Sequence, residues 1–377
     1  MRDDNEAGFK TRLLTNDGDW NTVRDDWERL SQSTPEFTPW QSWEWLSRWW
    51  QSQRGSRQLR LVVVERDGKV QMLLPLQLSV LPPLQLRVLE PVGMPDDINR
   101  PRLSLGVPDA GAFAGALNLL WQHRTQWDAI RVDEKQHDDA EVMWLRSFAQ
   151  ASNSWLQQVA FHPCPYLDLS GTWQSYLTSR GTRLAKNLRA SKRSLEARGP
   201  VEARRCDSAT DVLNAFDTLI ALHERSWKHT ARVGLSQSDA YRRFYRDFVG
   251  ALAREGRARA WVLNCNSQPV AATLAFNDGS TYYSAQIAHD EAFSKCSPGT
   301  LLEAMELEDL FTEGRFRTYD FLGGALNNKL RWTSQSRTTQ RVWLIRKSLR
   351  GTAFCGYYFR LKPRIKRFRA PPAGPVA

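Results

Sequence analysis

Three strand-length runs follow one another through residues 258–290, ARAWVLNCN, QPVAATLAFND and STYYSAQIAHD, parted by Asn266-Ser267 and by Asp278-Gly279-Ser280. Apolar runs parted by such short turn signals form hairpins, so this stretch is an antiparallel meander. It leads at once into SPGTLLEAMELEDLFTEG, where Leu301, Leu302, Met305, Leu307 and Leu310 recur at helical spacing. A helix over about 298–313 is therefore predicted, followed by a strand in RTYDFLG. Meander, helix, strand is the order of an α+β domain, not the βαβ alternation of a doubly wound sheet. Neither a GxGxxG nor a GxxxxGK[ST] fingerprint is present.

At 377 residues the chain exceeds what one core usually organises, and two packed domains are expected. In the first half, helices are predicted near Trp20 to Leu30 and Trp40 to Trp50, the second entered through Thr38-Pro39. Strands LRLVVVERD and KVQMLLPLQLSVL meet at Asp67-Gly68, a two-residue hairpin signal. Helices near 110–123 and 139–150 flank a strand at Trp127 to Val132. The second half follows the turn-rich HPCPYLDLSG. It opens with a basic helix from about Arg180 to Ala197, ended by Gly199-Pro200, then a strand at Val201 to Arg205 and helices near 208–228 and 238–255. A last strand at Arg341 to Arg346 is expected to complete the second domain. The expected fold class is α+β, with two domains (1–165 and 166–347), each a mostly antiparallel sheet flanked by helices. A basic aromatic tail, 348–377, follows.

The apolar fraction of 41% and the 16 Trp supply enough buried surface to exclude a mainly disordered chain. No apolar run reaches the length of a membrane span, and the first twenty residues are too polar for a secretory core, so a cytoplasmic address is expected. Five scattered Cys, without a CxxC pair or a His at zinc-finger offset, read as reduced and structural, with no metal site. The net charge of +11 gathers in two places. One is 341–369, where ten Lys and Arg stand without an acid; the other is Arg180 to Arg205. Such runs suit phosphate-rich ligands, nucleic acid or anionic lipid, or simply form a solvated helix face. GTAFCGYYFRLKPRIKRFRA mixes aromatics with cations as interfacial helices do, which points to peripheral attachment at the inner membrane face.

The start of the helix at 298 is the leading candidate site. Ser297 is a suitable N-cap, Pro298 sits at the first helical position without losing a hydrogen bond, and Gly299 lets a ligand approach the backbone. First-turn amides, through Thr300 and Leu301, then form an anion site suited to a pyrophosphate; plain helix capping is the alternative. Asp320 ends a predicted strand before Gly323-Gly324 and is a candidate base, or else a turn cap or a partner of Arg331. Phe216, Ile220, His223 and Trp227 share a helical stripe, which makes His223 either a second base or a satisfied core residue. Arg225, on another side of that helix, is an anion clamp or a surface ion pair.

The segments FTPWQSWEWLSRWW, SRGTRLAKNLRASKRSLE, LHERSWK, SPGTLL and YDFLGGALNNKLRW, in this order, span most of the chain. Together they resemble the CelD-type acetyltransferases associated with bacterial polysaccharide biosynthesis, members of the GNAT superfamily related to Fem-type aminoacyltransferases. The resemblance implies two GNAT-like domains, with an acyl-CoA pyrophosphate held at Ser297, Pro298, Gly299, Thr300 and Leu301. It also implies that Lys329 and Trp332 lie near the reaction centre, where a lysine neutralises charge developing on the transferred carbonyl. Arg183, Lys186, Asn187, Arg225 and Trp227 are the implied substrate contacts, beside Trp332. The implied reaction is direct transfer of an acetyl or acyl group from acyl-CoA to an amine or hydroxyl, without a covalent enzyme intermediate. Two other readings stay open: Fem-type transfer from aminoacyl-tRNA, with nucleic acid as partner, and a non-catalytic scaffold role in a polysaccharide machine.

Overall fold

The computed structural model describes residues 8–52, 57–93, 102–225, 235, 238–324 and 327–361. Two seven-stranded sheets carry the fold. The first contains β1 (Phe9–Leu14), β2 (Gln58–Arg66), β3 (Lys69–Leu81), β4 (Leu86–Pro91), β5 (Ala129–Lys135) and β6 (Trp155–Ala160). The second contains β7 (Cys164–Asp168), β8 (Val201–Cys206), β9 (Ala258–Cys265), β10 (Gln268–Asn277), β11 (Thr281–His289), β12 (Thr318–Asp320) and β13 (Ser336–Arg337). β14 (Gln340–Ile345) returns to the first sheet. Helices α1 (Arg24–Ser33), α2 (Trp43–Ser52), α3 (Ala110–Gln122) and α4 (Ala140–Ala151) belong to the first half. α5 (Trp173–Ser179), α6 (Thr182–Glu196), α7 (Ala209–Glu224), α8 (Asp239–Arg254), α9 (Pro298–Glu313) and α10 (Asn327–Leu330) belong to the second, and α11 (Leu349–Cys355) follows β14.

Both sheets repeat one plan. The first runs β1-β2-β3-β4-β5-β14-β6, and the second, read from its far edge, β8-β9-β10-β11-β12-β7-β13. In each, two helices follow the first strand, a meander follows them, and one parallel pair, β4 with β5 or β11 with β12, is bridged by a helix. The sixth place in each sheet is filled out of sequence order: β14 lies between β5 and β6, and β7 between β12 and β13.

These placements correct two expectations. The strand expected to complete the second domain, near Arg341 to Arg346, belongs to the first sheet, and the turn-rich HPCPYLDLSG contains β7 of the second. The boundary drawn at residue 165 falls inside β7. β14 suits an interior position because Val342 and Leu344 enter the core beneath α3 and α4, while Trp343 and Ile345 face the opposite side. Local alternation reveals that both faces are buried, but not which strands lie alongside. The aromatics Phe354 and Tyr358 of the expected tail pack on Trp343, at 5.1 and 5.9 Å between ring centroids. Residues 362–377, with the rest of the basic tail, lie outside the described residues.

Period-two alternation divides the second sheet into two faces. Ala258, Ala260 and Val262 of β9, with Ala272 and Leu274 of β10, pack towards α7 and α8. Trp261 and Leu263 turn the other way, with Leu301 and Leu302 of α9. The first half closes over the α7/α8 side: Trp45 of α2 meets Phe244 and Phe248 at 4.8 Å each, and Trp40 meets Tyr283 at 5.3 Å. One continuous core therefore joins the two halves. Trp45→Ala is expected to lose about 3–5 kcal/mol of stability, the usual loss on truncating a fully buried aromatic, in urea unfolding. A loss below about 1 kcal/mol would mean that this joint contributes little.

Candidate functional site

The site is built where β11 and β12 part. β12 pairs with β11 only through Thr281, Tyr282 and Tyr283, opposite Thr318, Tyr319 and Asp320, whereas β11 continues to His289. The reason lies at the end of β12. Phe321 N donates to Pro165 O at 3.1 Å and so follows β7, while Leu322 takes a left-handed conformation (φ 57°) with its N–H donating to Asp320 Oδ1 at 2.8 Å. A buried non-glycine residue at positive φ is costly and persists only where its surroundings hold it. Here Arg337 holds Asp320 Oδ2 at 2.6 Å, and Lys329 Nζ donates to the carbonyls of Leu322 and Gly323 at 3.2 and 2.6 Å.

Helix α9 spans the opening. A Cβ added at Gly299 would lie 3.4 Å from Ile287 Cδ1 and 3.8 Å from His289 Nδ1, so the first turn of α9 sits over the outer half of β11. One turn on, Glu303 Oε2 accepts from Trp332 Nε1 at 2.6 Å, in the loop leaving β12. Arg331 donates to Thr300 Oγ1 at 2.6 Å between these two contacts. Ser297 does not act as the side-chain cap expected of it: it adopts a left-handed conformation (φ 50°), and its hydroxyl makes no capping bond. Leu301 N is bonded to Ser297 O at 3.1 Å, and among the described residues no side chain caps the amides of Gly299 and Thr300. The corresponding helix of the first half is closed, because the Asp109 carboxylate accepts from Ala112 N at 2.8 Å.

Two carboxyls inside α9 were not singled out from the sequence. Glu306 is buried and accepts from the Tyr282 hydroxyl at 2.6 Å, and from Tyr319 and Thr273 at 3.3 Å. Glu303 is half-buried. Desolvation pushes Glu303 up to about 8, against the lowering bond from Trp332, with Glu306 adding repulsion. Desolvation likewise pushes Glu306 up to about 7, against its three hydroxyl donors. The available signal was a pair of acids at i, i+3 within the apolar stripe Leu301, Leu302, Ala304, Leu307.

Of the residues predicted from sequence, Pro298, Gly299, Thr300, Leu301, Lys329 and Trp332 gather around α9 and the loop after β12. Asp320 lies beneath them, wholly buried in its ion pair with Arg337 rather than with Arg331. His223 is buried at the end of α7, on the opposite face of the sheet from α9. Arg225 reaches Asp290, just beyond β11, at 3.6 Å. Arg183, Lys186 and Asn187 are exposed on α6, which packs on α5 and α9. Trp227 lies outside the described residues. Cys296 is buried and accepts a 3.3 Å hydrogen bond from Ser194.

Comparison with known proteins bears on the fold. A model of the GNAT acetyltransferase domain matches residues 182–330. The duplicated chain carries a GNAT-type acyltransferase fold. Its structure is similar to that of FemX, with a TM-score of 0.59 at 14% identity, covering 92% of this chain and 98% of that one. It is also similar to the C-terminal domain of a putative lysylphosphatidylglycerol synthetase from Agrobacterium fabrum (TM-score 0.53, 9% identity, 90% and 96% covered). A conserved protein of unknown function from Bacteroides thetaiotaomicron gives 0.51 at 9% identity, with 89% and 100% covered. At these identities the likeness is one of fold. No curated protein matches the chain in sequence. Among the described residues no group of His, Cys, Asp and Glu is arranged to hold a metal, and no helix is long and apolar enough to cross a membrane.

The raised carboxyls have a thermodynamic consequence. The unfolded chain releases these protons near 4.5 and the folded one only near 8 and 7, so stability falls as pH rises from about 4.5 through those values. Replacing Glu303 and Glu306 together by Gln is expected to flatten the fall between pH 5 and 8, read by urea unfolding across that range. An unchanged slope would assign the pH dependence to other groups.

Proposed function

We propose that the second half of the chain transfers an acyl group from acyl-CoA to an amine or hydroxyl, with the donor held at the start of α9 and the thioester at the parting of β11 and β12. The observation that carries this reading is the coincidence of three features within two turns of α9: uncapped amides at Gly299 and Thr300, a gap between parallel strands, and a carboxyl at Glu303. The amides and the helix dipole suit a pyrophosphate. The sheet gap gives an extended pantetheine arm backbone groups to pair with. The match of the GNAT acetyltransferase domain to 182–330 supports the same assignment. The first half, its matching helix capped by Asp109, supports the second structurally and binds no donor there.

In this mechanism Glu303 replaces the sequence-derived base candidates. Asp320 is committed to Arg337 and the turn at Leu322, and His223 lies on the other face of the sheet. The acceptor nitrogen or oxygen attacks the thioester carbonyl, its proton passes to Glu303, and the tetrahedral intermediate collapses with departure of the CoA thiolate. Lys329 and Arg331 supply positive charge beside that centre. A carboxyl near 8 is a stronger base than an ordinary one, at the price of being mostly protonated at neutral pH. The resemblance to CelD-type enzymes directs the acceptor search to saccharide and cell-envelope amines and hydroxyls.

A second reading, Fem-type aminoacyl transfer, draws on the similarity to FemX across 98% of that chain. It requires binding of a charged tRNA where the first requires only acyl-CoA. CoA release from acetyl-CoA, assayed against amine and hydroxyl acceptors, separates the two. The rate is expected to rise with pH and level off near 8, and Glu303→Gln to lower it by about 10²–10⁴-fold and remove that inflection. Full activity in Glu303→Gln would remove Glu303 from the mechanism. Turnover only with aminoacyl-tRNA would favour the second reading.

A further inference from the structure

Outside the reaction site, a groove of about 560 Å³ runs between α5, α6 and the outer side of α9. That volume lies within the roughly 300–1,000 Å³ range of small-molecule sites. Its walls are apolar, built from Trp173, Leu177, Leu188, Leu301 and Met305, and Arg189 and Lys192 of α6 stand at its margin. Among the described residues, Glu308 is the one acid lining it. The cations belong to a larger set. Leu184, Leu188 and Leu195 bury the inner side of α6, and Arg183, Lys186, Arg189, Lys192 and Arg193 occupy its exposed outer half. Among the described residues, the one ion pair in this set is Lys192 with Glu196, at 3.9 Å.

An apolar groove beside exposed cations, of which Lys192 alone among the described residues has an acidic partner, selects a ligand with an apolar body and an anionic head. Nucleic acid would satisfy the cations through its phosphates but leave the groove empty, whereas an anionic phospholipid satisfies both. We infer that this groove binds one acyl chain of an anionic phospholipid whose phosphate lies on Arg189 and Lys192. The site is separate from the opening between β11 and β12, on the other flank of α9, and does not depend on the donor assignment.

Calorimetry of the full chain with dioctanoyl-phosphatidylglycerol, kept monomeric below its micellar concentration, tests the inference apart from any membrane attraction of the basic tail. Dihexanoyl-phosphatidylglycerol should bind about tenfold more weakly, the effect of two methylenes withdrawn from one buried chain. The dioctanoyl phosphatidylcholine analogue should be weaker than the glycerol lipid by a similar factor. Ala185→Trp fills the groove from α6, and Thr178→Trp, at an exposed position, does so with little risk to folding. Each should weaken binding at least tenfold, as should Arg189→Glu with Lys192→Glu. Failure of the folded wild type to bind the dioctanoyl lipid, or binding indifferent to both groove fillings, would overturn the inference. So would binding of an RNA oligonucleotide that is lost on charge reversal, in a protein that does not take up the lipid.

Discussion

The short pairing of β12 with β11 is the constraint on which the rest of this structure depends. Three residues of register hold the parallel pair, and then Asp320, Leu322 and the Phe321 bond to Pro165 turn the chain towards β7. A strand that stayed in register would have sealed the outer half of β11 beneath α9. Because it leaves, the first turn of α9 lies above β11 and the second above the departing loop, with Glu303 held by the Trp332 indole. The buried ion pair of Asp320 with Arg337 belongs to this geometry. Its two charges repay their desolvation by fixing a left-handed backbone turn at a non-glycine residue.

Two strands placed out of sequence order bind this geometry to the whole chain. β7, towards which β12 turns, opens the second half in sequence, and β14 crosses back to an interior place between β5 and β6 in the first sheet. The second sheet is built from the contiguous stretch β7 to β13, but the first cannot be completed without β14, which follows that whole stretch in sequence. Trp40 and Trp45 add a shared core to these crossings, so the opening above β11 sits in a continuous scaffold. The duplication also provides an internal comparison. The same strand, helix, strand unit occurs twice, with the helix start closed by Asp109 in the first half and uncapped at Ser297 in the second.

Much of this was legible in the sequence where the signal is local. The meander from Ala258 to His289, the hairpin at Asp67-Gly68, the basic α6 and the start of α9 follow from alternation, turn residues and proline placement. Strand partnership was not legible. HPCPYLDLSG looks turn-rich because Pro163 and Pro165 interrupt it, and only pairing with β12 and β13 makes a strand of Cys164–Asp168. Ser297 has the composition of a cap but is held in a left-handed conformation that keeps its hydroxyl from the helix amides. Glu303 and Glu306 were passed over because acids on a helix ordinarily face water. Their roles depend on Trp332, Tyr282 and Tyr319, which tertiary structure alone brings to them.

Calorimetry of acetyl-CoA binding to the wild type and to Gly299→Glu tests the central claim most directly. The nearest atoms to a Cβ added there are side-chain atoms of Ile287 and His289, at 3.4 Å or more, and thermal unfolding of the variant checks that it folds. It would place a carboxylate among the amides proposed to hold the pyrophosphate. The account predicts that the wild type binds acetyl-CoA and that Gly299→Glu abolishes the binding. Equal affinity in the two proteins, or no binding by a well-folded wild type, would contradict it.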